Sequence, residues 1–301
     1  MKHTNTIIIL VCTLLLSACG SSPEKDTLIE KYTDGSSQFI SVGGNRVHYR
    51  DEGHGDVIVL LHGTASSLHT WDQWTQGLVK QNRVIRMDLP GFGLTGPDQA
   101  NRYEVEDDVA FLNEFLALLD LQKVHLVGSS LGGRIAWEYS LAHAEQVESL
   151  TLINSLGYPQ ERWPLAIEVA QWPLMDVIMP YMSPRFLYED GLKEVYYNDE
   201  QVTDSVVDRY YELSRYPGNL DAFPKRVSAD LDTSADKIGQ ISVPTLILWG
   251  QEDIYFPVAN AYRFQKDVVD SKIHVYSNVG HLPMEEVPNR SLNDFLSFIH
   301  H

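Results

Sequence analysis

Cysteine is almost missing: the 301-residue chain has two, Cys12 and Cys19, both in the first twenty positions. Everything after them can form neither an internal disulfide nor a cysteine metal site, so packing must hold the fold. Basic residues are also scarce, 23 Lys and Arg against 41 Asp and Glu, for a formal charge of −18. Such a surface repels phosphate backbones, which excludes nucleic acid as a partner. No internal repeat is visible. The uncharged run Ile7 to Leu16 rises only about 15 Å as a helix, roughly half a bilayer core, so it is too short to span. What remains is 44% hydrophobic and 21% charged, enough for one large domain or one domain with an insertion.

Met1-Lys2-His3, the run Ile7 to Leu16 and the small residues after it have the anatomy of a secretory signal peptide. Leu16-Ser17-Ala18-Cys19 resembles the bacterial lipobox, whose cysteine is lipidated and becomes the first mature residue. That resemblance implies a signal peptide over 1–18 and a membrane anchor at Cys19. With Gly20 instead of Asp after the cysteine, it also implies the outer membrane, facing the periplasm. Residues 19–37, rich in Gly, Ser, Pro and charge without apolar periodicity, are expected to be a flexible linker.

Phe39 to Val42 and Val47 to Tyr49 flank Gly43-Gly44-Asn45, a hairpin pattern. Val57 to Leu61 is continuously apolar, as a strand covered on both faces must be. Similar runs at Val84 to Met87, Val124 to Val127, Leu150 to Ile153 and Leu246 to Trp249 predict a central parallel sheet. Between them, Val105, Val109, Leu112, Leu116 and Leu119 mark one apolar helical face. From Gly157 to about Gly239 the alternation stops in a stretch dense in Pro, Trp, Tyr and Met, which predicts a mostly helical insertion. Leu292 to Ile299 closes the chain as an amphipathic helix.

The chemistry-bearing residues fall at strand ends. The strand Val124 to Val127 enters Gly128-Ser129-Ser130-Leu131-Gly132, where flanking glycines leave room for a sharp turn that exposes the Ser130 hydroxyl as a nucleophile. A serine needs a base, and the base an orienting acid. Asp253, with Glu252 as a rival, follows Leu246 to Trp249 at the same sheet edge. His281 follows Ile273 to Tyr276 on a loop.

Together with Leu61-His62-Gly63-Thr64 and Asp88-Leu89-Pro90-Gly91-Phe92-Gly93, these motifs resemble, in order, those of the α/β-hydrolase superfamily from about Phe39 to Phe298. The resemblance implies an α/β fold: a mostly parallel central sheet flanked by helices, core 38–156 and 240–301, with a mostly helical cap at 157–239. It assigns Ser130 as nucleophile, His281 as base, Asp253 as acid and the backbone N–H groups of Thr64 and Leu131 as oxyanion hole. His62 and Asp88 are expected to hold loops around the site.

The expected activity is two-step hydrolysis of a carboxylic ester, or related acyl bond, of a small apolar substrate, with no metal or organic cofactor. A carbon–carbon bond hydrolase of ring-cleavage-type diketones is the alternative. Against it, Thr64-Ala65-Ser66-Ser67 stands where such enzymes usually carry a Ser-Gly-Pro-Gly-like loop. A non-catalytic, lipid-anchored binding protein is the third reading, and the presence of all three triad residues counts against it. Trp163, Trp172, Leu174, Val177, Met182 and their apolar neighbours are expected to divide between packing the cap and lining a pocket above Ser130.

Overall fold

The computed structural model describes residues 24–160, 162–181, 183–229 and 234–300. The segment expected to be a signal peptide, Cys12, Cys19 and Met182 lie outside them. Eight strands form one sheet: β1 (Ser37–Val42), β2 (Asn45–Gly53), β3 (Asp56–Leu61), β4 (Asn82–Met87), β5 (Val124–Ser129), β6 (Val147–Ile153), β7 (Thr245–Gly250) and β8 (Ser271–Tyr276). Their order is β1-β2-β4-β3-β5-β6-β7-β8. The hairpin strand β2 pairs antiparallel with β1 and β4, and every pair from β4 to β8 is parallel. All apolar runs named above are strands, as continuous hydrophobicity requires when both faces are covered.

Alternate residues of each strand feed two cores. Val59, Leu61, Ile85, Leu126, Ile247 and Trp249 point to one face, and Ile58, Leu60, Val84, Val127, Leu246 and Leu248 to the other. The first helix is α1 (Lys25–Tyr32), and α2 (Asp72–Leu78), α3 (Val105–Leu118) and α4 (Leu131–Ala142) follow between strands. A capping box between Glu104 and Asp107 starts α3. Its Phe111, Leu112 and Phe115 pack the first core beside Ile135 and Trp137 of α4.

Between β6 and β7 lie α5 (Leu165–Ala170), α6 (Met175–Ile178), α7 (Arg185–Val195), α8 (Asp204–Ser214) and α9 (Asn219–Ala229), the helical insertion expected at 157–239. A buried bidentate ion pair joins it to the body: Arg226 Nη1 and Nη2 of α9 donate to Asp108 Oδ1 and Oδ2 of α3 at 2.9 and 2.7 Å. The chain then runs through β7, α10 (Ala259–Asp267), β8, α11 (Pro283–Glu286) and α12 (Pro288–Ile299). On the second face, Trp74 of α2 stacks on Phe295 of α12 at 5.3 Å and donates to Ser291 Oγ at 2.9 Å.

One expectation is corrected. Residues 24–37 are not a flexible linker, because Lys25–Tyr32 is helical. Leu28 is buried against Leu94, Leu213 and Tyr216, with Ile29 and Tyr32 beside it. Three apolar residues on one turn give too short a signal for periodicity, yet they suffice once Lys31 and Tyr32 bond Glu212 of α8 at 2.6–2.8 Å.

Candidate active site

Ser130 sits between β5 and α4 at φ 54, ψ −117. A non-glycine residue in this region costs on the order of 1–3 kcal/mol, which the surroundings must fix in place. They do: Ser130 N donates to Ile153 O at 3.0 Å, and Ser130 O accepts from Leu156 N and Arg134 N at 3.1 and 3.2 Å. The flanking glycines are a steric necessity. A Cβ on Gly128 would lie 2.1 Å from Gly132 O, and one on Gly132 would lie 2.4 Å from Leu61 O. The Ser130 side chain therefore emerges where β5 ends, at the start of a helix whose first N–H groups, beginning with Leu131, have no intrahelical acceptor. Gly63 lies directly against it, since a Cβ there would be 2.9 Å from Ser130 Cβ. That contact brings the Gly63-Thr64 backbone to Ser130.

Asp253 follows β7 and is fully buried. Its Oδ1 accepts from Tyr255 N and Phe256 N at 2.9 Å each. Its Oδ2 accepts from Asn154 Nδ2 and His281 Nδ1, both at 2.6 Å. With Nδ1–H donated to the carboxylate, His281 is left with Nε2 as its proton-accepting nitrogen. Asp253, not its neighbour Glu252, holds the imidazole. Asn154 was not anticipated from sequence: it directly follows β6, donates to Asp253 and accepts from Gly250 N at 3.0 Å, so it ties the end of β6 to the end of β7 and the Asp253 loop.

The His281 loop is anchored to the cap. His281 N donates to Val195 O, the last residue of α7, at 2.7 Å, and a Cβ on Gly280 would be 2.4 Å from the same oxygen. Buried Glu286 accepts from Gly280 N at 2.9 Å and from Tyr197 N at 2.8 Å. Burial pushes its carboxyl above the usual range, against the pull of those N–H groups. The ring of Phe256 meets His281 edge-on at 5.0 Å.

His62 and Asp88 brace the neighbouring loops, as expected. His62 Nε2 accepts from Leu89 N at 2.9 Å, so Nδ1 donates to Gly63 O at 2.7 Å. Complete burial drives its pKa down to about 4. Asp88 accepts from Leu68 N, Leu94 N and His48 Nδ1, all at 2.8 Å. Burial opposes its charge, but the His48 bond and the N–H donors outweigh it and hold the pKa at about 2.

A second cluster, absent from the sequence reading, links the cap to both loops. Glu285 accepts from Arg209 and Tyr210 of α8, from Tyr196 and from Thr70. Ser66 Oγ, two residues past Thr64, reaches Tyr210 Oη at 3.4 Å. Burial works against the Arg209 charge, but Glu285 beside it keeps the guanidinium protonated. Burial, followed by the Glu285 charge, pushes both phenols far up, so they remain donors. Sequence spacing could not join positions 66, 196, 209 and 285.

The family described as "alpha/beta hydrolase fold" matches residues 56–288. The chain is 30% identical over 280 residues to 2-hydroxy-6-oxo-2,4-heptadienoate hydrolase of Pseudomonas putida strain F1, across 86% of this chain and 96% of that protein. It is 27% identical over 271 residues to 2-hydroxy-6-oxo-6-(2'-aminophenyl)hexa-2,4-dienoic acid hydrolase of Metapseudomonas resinovorans, across 87% and 90%. Among solved structures, a serine hydrolase involved in carbazole degradation superposes with a TM-score of 0.75 at 26% identity, covering 88% of this chain and 98% of its own.

Proposed function

We propose, given that the chain belongs to the alpha/beta hydrolase family, that Ser130 attacks a substrate carbonyl carbon and water completes a two-step hydrolysis. The observation that carries this reading is the arrangement of a strained, glycine-flanked Ser130 with a His281 imidazole held through Nδ1 by buried Asp253. His281 Nε2 takes the Ser130 proton as the hydroxyl adds, and Asp253 stabilises the imidazolium. The N–H groups of Thr64 and Leu131 receive the oxyanion. His281 then protonates the leaving group, and water, activated by the same imidazole, releases the acid.

The bond cut is carbon–carbon, next to the ketone of a 2-hydroxy-6-oxodienoate-type acid. The names of the curated relatives support this, and they move it ahead of the ester reading favoured by sequence motifs. Such a substrate must first tautomerise from its 2-hydroxydiene to the 2-oxo form, its hydroxyl proton lost and a proton gained at the carbon next to the ketone. The carbon leaving group then departs as a dienolate, its electron pair delocalised onto the 2-oxo group, and the enolate is protonated to the product. Ester hydrolysis is the second reading, favoured by one observation. The cap cation Arg209, whose Nη1 donates to His69 O beyond the Ser66 loop, is already neutralised by Glu285, whereas a carboxylate-bearing substrate calls for an unneutralised cation. Both readings share Ser130, Asp253 and His281. Measuring kcat/KM for a vinylogous diketone acid and for p-nitrophenyl esters on one preparation separates them. Turnover of the diketone at least about tenfold better supports carbon–carbon cleavage, and turnover confined to esters overturns it.

A further inference from the structure

Ile167 of α5 is buried against Val227 of α9, but Leu165, Trp172, Leu174, Val177 and Tyr181 are 60–68% exposed. The expectation that such cap residues line a pocket is corrected for these five. What the cap brings to the loop after β3 is polar, and it comes from α8.

That loop begins as a four-residue turn. Ser66 N donates to Gly63 O at 3.3 Å, and Ala65 within the turn stands at φ 57. Left-handed backbone crowds a Cβ against the following carbonyl, and only Asn and Asp offset this with a local hydrogen bond. Ala65 has no such group, so contacts outside the turn must hold it. On the upstream side the body supplies one, since His62 Nδ1 donates to Gly63 O at 2.7 Å. On the downstream side the hold comes from the cap. Ser66 Oγ donates to Tyr210 Oη at 3.4 Å, and Tyr210 Oη donates to Glu285 Oε1 at 2.8 Å. The same carboxylate accepts from Thr70 Oγ1 at 2.5 Å, and Arg209 Nη1 donates to His69 O at 3.2 Å. The loop is thus gripped at positions 66, 69 and 70. Helix α8 is itself fixed from α1, whose Lys31 and Tyr32 bond Glu212.

Thr64 lies between the two holds, next to the Gly63 that touches Ser130. The Tyr210 hydroxyl has no proton to spare for a substrate: burial, followed by the Glu285 charge, keeps the phenol protonated, and its one proton goes to Glu285. Its oxygen serves the loop instead.

We propose that Tyr210 is a positioning residue: through Ser66 it holds the Gly63–Ser66 turn, with Ala65 left-handed, so that Thr64 N–H faces the oxyanion formed at Ser130. This rests on the hydrolytic reading given above, and it makes the cap a support of the oxyanion hole as well as a cover.

The full chain and p-nitrophenyl acetate test it. Tyr210→Phe keeps the ring and removes the hydroxyl. Its kcat should fall at least about tenfold with KM changed less than about twofold. A trifluoromethyl ketone, whose addition to Ser130 leaves an oxyanion, should bind about tenfold more weakly. Ala65→Gly provides the rescue, because glycine takes positive φ without strain; in that background Tyr210→Phe should lower kcat less than about threefold. Ser66→Ala, at a partly exposed position, should show the same loss and the same rescue, and it decides the matter if Tyr210→Phe does not fold. Combined, the two variants should be no worse than either alone. A loss confined to KM, one equally large in the Ala65→Gly background, or an unchanged kcat overturns the proposal while Ser130→Ala remains inactive. Turnover that survives Ser130→Ala refutes the hydrolytic reading itself and the proposal with it.

Discussion

At the residue scale the site depends on a few atoms whose replacement has defined results. Ser130→Ala should abolish turnover and labelling by a fluorophosphonate, which reacts with the serine oxygen. Asp253→Asn should lower kcat by on the order of 10⁴, since an amide at this position holds the imidazole in the wrong tautomer. Glu252→Gln should change kcat little, and steady-state kinetics of the pair checks the assignment of the acid. Ser130, Asp253 and His281 were candidates from sequence because each follows a strand within a few residues and the three come in a fixed order. Asn154 and Glu285 were not. Their roles come from strands and helices that meet only in three dimensions, and neither carries a local motif. Glu285→Gln gives that cluster a test: releasing Arg209 should lower KM for carboxylate-bearing substrates and leave uncharged esters unaffected. Unchanged KM for both classes would remove Arg209 from substrate binding.

At the scale of elements, the strands were readable because both faces of the sheet are buried, and the long helices because their faces repeat. The short helix α1 and the sidedness of α5 and α6 were not. Whether Leu165 or Ile167 points inward depends on where α9 lies beneath them, and composition carries no such information. Cohesion between cap and body rests in part on the Arg226–Asp108 pair. Asp108→Ala should lower stability by about 3–5 kcal/mol, because it leaves a guanidinium charge in the interior, and a urea midpoint measures it. Truncating Phe295 to Ala on the opposite face should cost about 3–5 kcal/mol through the cavity beside Trp74.

For the whole molecule, the two buried loop braces set an acid limit. His62 has its folded pKa lowered from 6.5 to about 4, so between those values the unfolded chain binds more protons. The stabilisation is complete above pH about 6.5 and is lost as the pH falls toward 4, up to about 3 kcal/mol. Asp88, lowered from 3.8 to about 2, keeps its contribution above pH 3.8 and loses it as the pH falls through 2. Urea unfolding at pH 7 and pH 4.5 should therefore show a lower midpoint in acid, and His62→Asn should flatten the difference. The bond from His281 N to Val195 O has a separate consequence for redesign. His281, the proposed general base, hangs from the last carbonyl of α7, so this end of the cap acts as a fixed pivot. Chimeras that import another protein's cap should keep their activity when the downstream junction falls before Val195. They should lose it when the junction replaces Val195 to Tyr197, however well the new cap folds.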